Sequence, residues 1–158
     1  MCINALAELH NIYDKATVLT VLNIFHLMSK TKILFADDDI EDQFIIQDAF
    51  REIGFADKIS FVENGEEVLK YLDNLDPQFL PALIVLDLNM PKMNGTETLR
   101  ALKESEVYKN INTIIFSTSV NEKEKSECME LGAISYITKP IKYNESIETA
   151  RQFYDYVQ

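Results

Sequence analysis

Acidic, hydroxyl and lysine side chains follow the short apolar segments of this sequence, at the point where each segment ends. Three aspartates follow KILFA, Asp87 follows ALIVL, Ser117 follows NTIIF, and Lys139 follows ISYIT. If these segments are parallel strands of one sheet, their carboxyl ends meet at one edge, where ligands bind in such folds. The sequence therefore predicts one pocket that contains several carboxylates, a hydroxyl and an ammonium group.

The clustered acids point to a bound cation. Close carboxylates repel one another, so such a cluster either takes up a proton or binds a positive ion. An oxygen-only ligand set, without histidine or thiolate, favours Mg²⁺, which keeps several waters and leaves room for a phosphate oxygen. The carboxylates at these strand ends are those of Asp37, Asp38, Asp39 and Asp87. Asp39 is most simply the N-cap of the helix that follows.

The remaining polar groups fit phosphoryl transfer onto an aspartate. Asp87 is the candidate nucleophile because it closes a buried strand and lacks helix-capping spacing. Lys139 can pair with Asp87 or with an added phosphoryl group, and Ser117 can donate a hydrogen bond to that group. These are the parts that covalent phosphoryl transfer requires. A strand-end serine and a solvated surface lysine are the simpler alternatives for Ser117 and Lys139.

An alternation of strands and helices must position these side chains. From residue 32 onward, short apolar segments alternate with segments of helical periodicity, which gives five strand–helix units. Strict alternation predicts right-handed crossovers and a parallel sheet with helices on both faces. The predicted strands are KILFA, KISFVE, ALIVLD, NTIIFS and ISYIT, and the predicted helices are IEDQFIIQDAFREI, EEVLKYLDNL, TETLRALKES, EKEKSECMEL and ESIETARQFYDYV.

Composition excludes several classes of function. The 158 residues include 26 acids and 15 bases, and the resulting formal charge of −11 argues against nucleic-acid binding. The two cysteines, Cys2 and Cys128, lie far apart and match no metal-binding spacing, which is typical of reduced thiols in a cytosolic protein. Both histidines lie in the first thirty residues, so a histidine-based catalytic site is not expected.

The first 31 residues stand outside the alternating pattern. Leu6, Leu9, Ile12, Val18 and Phe25 are among the apolar residues that could form one or two amphipathic helices. The most apolar part is too short to span a bilayer, and no small-residue cleavage site follows it, so neither a membrane span nor a secretion signal is expected. Residues 1–31 are predicted to be a helical extension, and residues 32–158 a domain.

Four segments resemble a known family. ILFADDD, LIVLDLNMPKMNG, TIIFSTS and ISYITKP, in this order and spacing, resemble the receiver domain of bacterial two-component response regulators, over residues 32–158. The resemblance implies an α/β, flavodoxin-like, doubly wound five-stranded parallel sheet with strand order 2-1-3-4-5. It also implies a cytoplasmic single-domain response regulator that acts as a signalling domain and not as an enzyme.

The resemblance assigns roles around the phosphoacceptor. Asp87 corresponds to the aspartate that takes a phosphoryl group from the phosphohistidine of a sensor histidine kinase or a histidine phosphotransfer protein. Asp37, Asp38 and Asp87 correspond to the carboxylates that bind Mg²⁺, and Asn89 to the residue whose backbone carbonyl joins them.

The resemblance also assigns a switch. Ser117 and Tyr136 correspond to the switch hydroxyl and the switch aromatic residue, and Lys139 to the lysine that contacts the phosphate. The peptide bond between Lys139 and Pro140 corresponds to one that is often cis in this family. Since no output domain follows residue 158, the expected output is contact with a downstream protein target. A homodimer is left open, and neither nucleic acid nor membrane is expected as a partner.

Three other functions are compatible with parts of the pattern. A phosphatase of the haloacid dehalogenase type also uses an aspartate nucleophile and Mg²⁺, and Asp37 and Asp39 have the required spacing. A receiver fold could also serve as a binding module that is never phosphorylated. A flavodoxin-like flavin domain is disfavoured because acids, instead of Ser, Thr or Gly, follow the first strand.

Overall fold

The computed structural model describes residues 32–158, and the predicted helical extension, residues 1–31, lies outside the described residues. The described residues form alternating strands and helices, as predicted. The strands are β1 (Ile33–Ala36), β2 (Ile59–Val62), β3 (Leu83–Leu86), β4 (Asn112–Ser117) and β5 (Ser135–Thr138), and the helices are α1 (Ile40–Glu52), α2 (Gly65–Asp73), α3 (Gly95–Glu104), α4 (Glu122–Glu130) and α5 (Tyr143–Asp155).

The strands form one parallel sheet in the order β2-β1-β3-β4-β5, which confirms the predicted topology. The register pairs Ala36 at the end of β1 with Leu86 at the end of β3. The next residue of each strand is an aspartate, so Asp37 and Asp87 leave the sheet side by side at its carboxyl edge. The sheet register alone therefore brings the two predicted acids together.

Helices cover both faces of the sheet, and each face has its own core. On one face, α1 and α5 bury Phe50 and Phe153 against Phe35 and Phe116 of the sheet. On the other face, α2 and α3 pack against the same strands through leucines and a valine. Every residue of β1 and β3 is buried, as expected for strands that are covered on both faces. The paired carboxyl ends are thus held by the most buried strands.

Side chains cap the first four helices at their N-termini. The carboxylate of Asp39 accepts hydrogen bonds from the backbone N–H groups of Glu41 and Asp42, at 2.8 and 3.4 Å, so its predicted role as an N-cap is confirmed. Asn64, Asn94 and Asn121 cap the next three helices in the same way. Each of these caps starts its helix in the loop that follows a strand.

Helix α5 differs from its predicted extent. It begins at Tyr143, whereas periodicity predicts a start at Glu145, and its N-cap residue makes no side-chain hydrogen bond. The hydroxyl of Tyr143 donates to Asp48 of α1 at 2.6 Å. This contact between helices accounts for a first turn that the local sequence does not signal. Among residues 32–158, no helix combines the length and the apolar character that crossing a membrane requires.

Candidate functional site

Three aspartates converge at the carboxyl edge of the sheet. Asp37 follows β1 and Asp87 follows β3, and both are buried, whereas Asp38 is exposed. One carboxylate oxygen of each of these aspartates lies within 4.8 Å of the others. The three predicted metal ligands therefore lie close enough to share one ion.

Backbone groups orient the two buried carboxylates. Oδ1 of Asp37 accepts a hydrogen bond from the backbone N–H of Asp39 at 3.0 Å. Oδ2 of Asp87 accepts one from the backbone N–H of Asn89 at 2.8 Å. The amide of Gln43 in α1 donates to the backbone carbonyl of Asp37 at 2.6 Å, which ties the end of β1 to the following helix. Both acids are therefore fixed by the turns that follow their strands.

Lys139, the residue after β5, reaches into this acidic cluster. Its Nζ lies 2.7 Å from Oδ2 of Asp37, 2.7 Å from Oδ2 of Asp42 and 3.2 Å from Oδ1 of Asp87. Its side chain is only 10% exposed, and Nζ lies 5.9 Å from the centre of the Phe116 ring. Lys139 therefore joins the ends of β1, β3 and β5 within one site.

Burial shapes the ionisation of the cluster. It raises the pKa of Asp37 to about 6, although hydrogen bonds from Lys139 and from the backbone of Asp39 act in the opposite direction. Burial also acts to lower the pKa of Lys139, but the hydrogen bonds to Asp37 and Asp42 and the nearby negative charges outweigh it, so that this pKa lies above its ordinary value. The ammonium group therefore stays charged at neutral pH.

The carboxylates of the site outnumber its positive charges. Asp37, Asp42 and Asp87 contact the ammonium group of Lys139, and the carboxylate of Asp38 lies close to those of Asp37 and Asp87. Buried carboxylates in such excess favour uptake of a proton or a cation. The donor set consists of oxygens only, which matches the preference of a hard divalent ion such as Mg²⁺. The residues present therefore fit such an ion.

The predicted switch residues lie on the two neighbouring strands β4 and β5: Ser117 is the last residue of β4, and Tyr136 is the second residue of β5. Ser117 is fully buried, and its Oγ accepts a hydrogen bond from the backbone N–H of Ser119 at 3.2 Å. Tyr136 is half-buried, and its hydroxyl donates to the backbone carbonyl of Ser119 at 2.9 Å. The hydroxyl of Ser119 in turn bonds to Glu124 of α4 at 2.6 Å. One short loop thus links Ser117, Tyr136 and α4.

The turn between β3 and α3 packs tightly under Asp87. A Cβ atom added to Gly95 would collide with the backbone carbonyl oxygen of Asp87 and lie 2.9 Å from Cα of Leu88. Lys92 adopts a left-handed backbone conformation, with φ of 63°. Asn94 and Glu97 form a reciprocal capping box that starts α3. The glycine is therefore required because α3 begins in contact with the backbone of the candidate nucleophile.

Two features of the site differ from the expectations. Asp42, which binds Lys139 as closely as Asp37 does, is absent from the predicted set. Its sequence signal, an acid in the first turn of a helix, is also the ordinary signature of a helix N-terminus.

The peptide bond between Lys139 and Pro140 is trans, so the expected cis bond is wrong for this structure; trans is the favoured isomer even before proline.

Comparison with protein families gives one match that covers most of the chain. The model of the "response regulator receiver domain" matches residues 33–151. The probable methanogenesis regulatory protein FilR2 of Methanothrix harundinacea is 28% identical over 126 residues, which make up 78% of this chain and 81% of that protein. The protein-glutamate methylesterase/protein-glutamine glutaminase of Bacillus subtilis is 40% identical over 112 residues, or 69% of this chain, but the match spans only 29% of that relative.

Solved structures share the fold. The phosphorylated cyanobacterial phytochrome response regulator RcpA superposes with a TM-score of 0.70 and 28% identity, over 80% of this chain and 93% of that one. The Mn²⁺-bound form of response regulator Rcp1 superposes with a TM-score of 0.66 and 25% identity, over 76% of this chain and 88% of that one.

Proposed function

This chain belongs to the response regulator receiver domain family, and from that premise we propose that Asp87 accepts a phosphoryl group from a phosphohistidine. The donor in this proposal is a sensor histidine kinase or a histidine phosphotransfer protein. The chain is then a phosphorylated signalling domain of a two-component system, and not an enzyme with a turnover of its own. The methylesterase activity named for the Bacillus relative is not carried over, because the match covers only 29% of that protein.

One observation carries the proposal. The buried carboxylate of Asp87 lies 3.2 Å from the ammonium of Lys139 and shares a cluster of ligand atoms with Asp37 and Asp38. A carboxylate nucleophile, a fixed positive charge and a set of cation ligands are what phosphoryl transfer to a protein side chain needs. RcpA, whose structure is described as phosphorylated, shares this fold.

The proposed cofactor is Mg²⁺, held by Asp37, Asp38, Asp87 and the backbone carbonyl of Asn89. The oxygen-only ligand set and the excess of negative charge support this assignment, as does the Mn²⁺ described for Rcp1. When bound, the ion supplies positive charge that offsets the negative charge of the phosphoryl oxygens. Asn89 is included because it corresponds to the family residue whose backbone carbonyl binds the ion; in this structure its N–H donates to Asp87.

The residues of the chain have distinct parts in the proposed reaction. A carboxylate oxygen of Asp87 forms a bond to phosphorus while the bond from phosphorus to the imidazole nitrogen of the donor breaks. The electron pair of that bond returns to the imidazole. Lys139 provides a positive charge beside the new phosphoryl oxygens, and the Ser117 hydroxyl donates a hydrogen bond to one of them.

The proposed response is a change in the loop between β4 and α4. When Ser117 turns its hydroxyl towards the phosphoryl group, the hydrogen bond from Ser119 to Ser117 has to rearrange. Tyr136 is bonded to the same loop through the carbonyl of Ser119, so its side chain shifts with the loop. The surface of α4, β5 and α5 is then remodelled for a downstream protein target.

An exposed apolar surface supports a protein as the donor. Ile40 and Phe44 lie one turn apart on α1 and are 76% and 64% exposed, and Ile141, two residues after Lys139, is 99% exposed. Ile40 follows the aspartates after β1, and Ile141 follows Lys139 and Pro140, so these exposed apolar residues adjoin the site in sequence, and exposed apolar surface is typical of protein-binding sites. In this proposal the donor docks there, above the mouth of the site.

We also propose that residues 32–158 are the receiver domain, that residues 1–31 are an extension, and that the protein is located in the cytoplasm.

Incubation with Mg²⁺ and acetyl phosphate, followed by intact-mass analysis, tests the proposal. We expect wild-type protein to gain one phosphoryl group and the Asp87→Ala variant to gain none, because the variant lacks the accepting oxygen. A sample in which a chelator removes Mg²⁺ serves as the control and shows whether labelling requires the cation. Continuous release of phosphate without a labelled protein would favour a phosphatase, and an unlabelled wild-type protein would favour a binding module.

A further inference from the structure

We propose that Asp42 is a positioning residue that holds Lys139 back from the phosphoryl group and so limits phosphoryl acceptance at Asp87. The proposal rests on the proposed function of Asp87, but it concerns a residue to which neither the family resemblance nor the sequence assigns a role. The observation that motivates it is the way in which three carboxylates share the ammonium group of Lys139.

Lys139 donates two hydrogen bonds in this structure, and both go to carboxylates other than that of the candidate phosphoacceptor. An ammonium group has three N–H donors and no acceptor. Two carboxylates, those of Asp37 and Asp42, accept at 2.7 Å, whereas the Oδ1 of Asp87 lies at 3.2 Å. The two short contacts therefore hold the ammonium nearer to Asp37 and Asp42 than to the candidate phosphoacceptor. For Lys139 to move towards a phosphoryl group on Asp87, one of these two hydrogen bonds has to lengthen or break.

Asp42 is the carboxylate that can be released at the lowest cost. The side chain of Asp37 is 1% exposed and that of Asp87 is 7% exposed, whereas that of Asp42 is 34% exposed. A buried carboxylate that loses its partner stays desolvated, but a partly exposed one regains water. Asp42 also lies on α1 and not on a strand end, so its release leaves the turns around Asp37 and Asp87 in place.

Removal of the Asp42 charge has two opposite consequences. Lys139 loses one of the two hydrogen bonds that hold it away from Asp87, and the anionic phosphodonor meets less negative charge, so phosphoryl acceptance becomes faster. The cation, by contrast, loses a nearby negative charge, and Lys139 competes more strongly for Asp37 and Asp87, so Mg²⁺ binds more weakly. General damage to the site would instead weaken both properties. The opposite signs therefore distinguish a restraint on Lys139 from a merely structural role.

The test compares Asp42→Asn with wild type and with a matched control, Glu41→Gln. Glu41 lies in the same first turn of α1 and its side chain is exposed, and it is not among the carboxylates that bind Lys139. The control therefore removes the same unit of charge from the same helix end. Initial rates of labelling with acetyl phosphate are measured at saturating Mg²⁺, and Mg²⁺ affinity is measured by calorimetry on unphosphorylated protein. A second variant, Asp42→Ser, and thermal melting verify that folding is retained.

We expect Asp42→Asn and Asp42→Ser to be labelled roughly two- to fivefold faster and to bind Mg²⁺ more weakly by a similar factor, the size of one partly exposed ion pair. Glu41→Gln should match wild type in both measurements. Labelling of the Asp42 variants at the wild-type rate or more slowly, or the same change in Glu41→Gln, would overturn the proposal. An unlabelled wild-type protein would instead contradict the proposed function, and this inference would fail with it.

Discussion

Helices α3 and α4 pack on the same face of the sheet, but they are anchored very differently. Helix α3 buries Gly95, Thr98, Leu99 and Leu102 and begins with a reciprocal capping box. Helix α4, of nearly the same length, buries Cys128 alone. The strongly anchored helix begins directly under Asp87, and the weakly anchored one follows Ser117. Under the proposed function, the firmly anchored helix adjoins the accepting residue, and the helix on the responding side costs little to rearrange.

The local chemistry of the two helices accounts for this difference. The sequence of α3, GTETLRALKE, carries apolar residues at helical spacing, whereas that of α4, EKEKSECME, is charged on nearly every side. A helix with little apolar surface gains little from burial and opens at a low free-energy cost. The contacts that hold the start of α4 are mainly polar, such as the bond from Ser119 to Glu124.

The largest expected effect is a loss of stability that differs between α3 and α4. Leu99→Ala removes a fully buried side chain of α3, and we expect it to lower the free energy of unfolding by about 2–5 kcal/mol. The matched change in α4 is Met129→Ala, at a side chain that is 41% exposed, and it should alter stability by no more than about 0.5 kcal/mol. Urea unfolding checks both. Equal losses would show that α4 is anchored as firmly as α3.

A smaller effect tests the contact between α3 and the accepting strand. Gly95→Ala forces a methyl group against the backbone of Asp87, and we expect a loss of about 1–3 kcal/mol together with slower labelling by acetyl phosphate. The control is Gly54→Ala. The methyl group added at residue 54 meets no atom within 4 Å, so this variant carries only the backbone strain of its φ of 83°. Labelling of the Gly54 variant should be unchanged. Normal labelling of Gly95→Ala would contradict a rigid accepting side.

The smallest effect concerns the responding side. Tyr136→Phe removes the hydroxyl that bonds to the carbonyl of Ser119, a contact worth about 0.5–1.5 kcal/mol. We expect faster hydrogen exchange of backbone amides in the β4–α4 loop and in α4, with no change in α3. A variant of a distant tyrosine, Tyr108→Phe, loses a bond to Asp73 and should leave α4 unaffected. Uniform changes across both helices would remove the distinction between them.

Most of the fold follows from the sequence because its signals are local. Alternation of apolar and helical segments gives the strand and helix order, and Asp39 and the later asparagines mark where helices begin. The start of α5 does not follow, because it depends on the contact of Tyr143 with Asp48 across two helices. The N-cap of α5, Lys142, carries no capping signal at all.

The sequence predicts those residues of the site that directly follow a strand. Asp37, Asp87 and Lys139 each follow a strand directly, so parallel pairing brings them together. Asp42 lies on a helix, and whether it reaches Lys139 depends on how α1 is rotated against the sheet. Periodicity indicates which helix face is apolar, but not which polar residue of that helix contacts a lysine 97 positions away.

The central claim is that Asp87, at the rigid accepting side, carries the phosphoryl group. The most direct test is to label the protein with acetyl phosphate and Mg²⁺, to reduce the acyl phosphate with borohydride, and to map the modified residue by peptide mass spectrometry. We expect conversion of Asp87 to homoserine and no modification of Asp37 or Asp38. Modification at another residue, or recovery of unmodified Asp87 from protein that has gained a phosphoryl group, would contradict it.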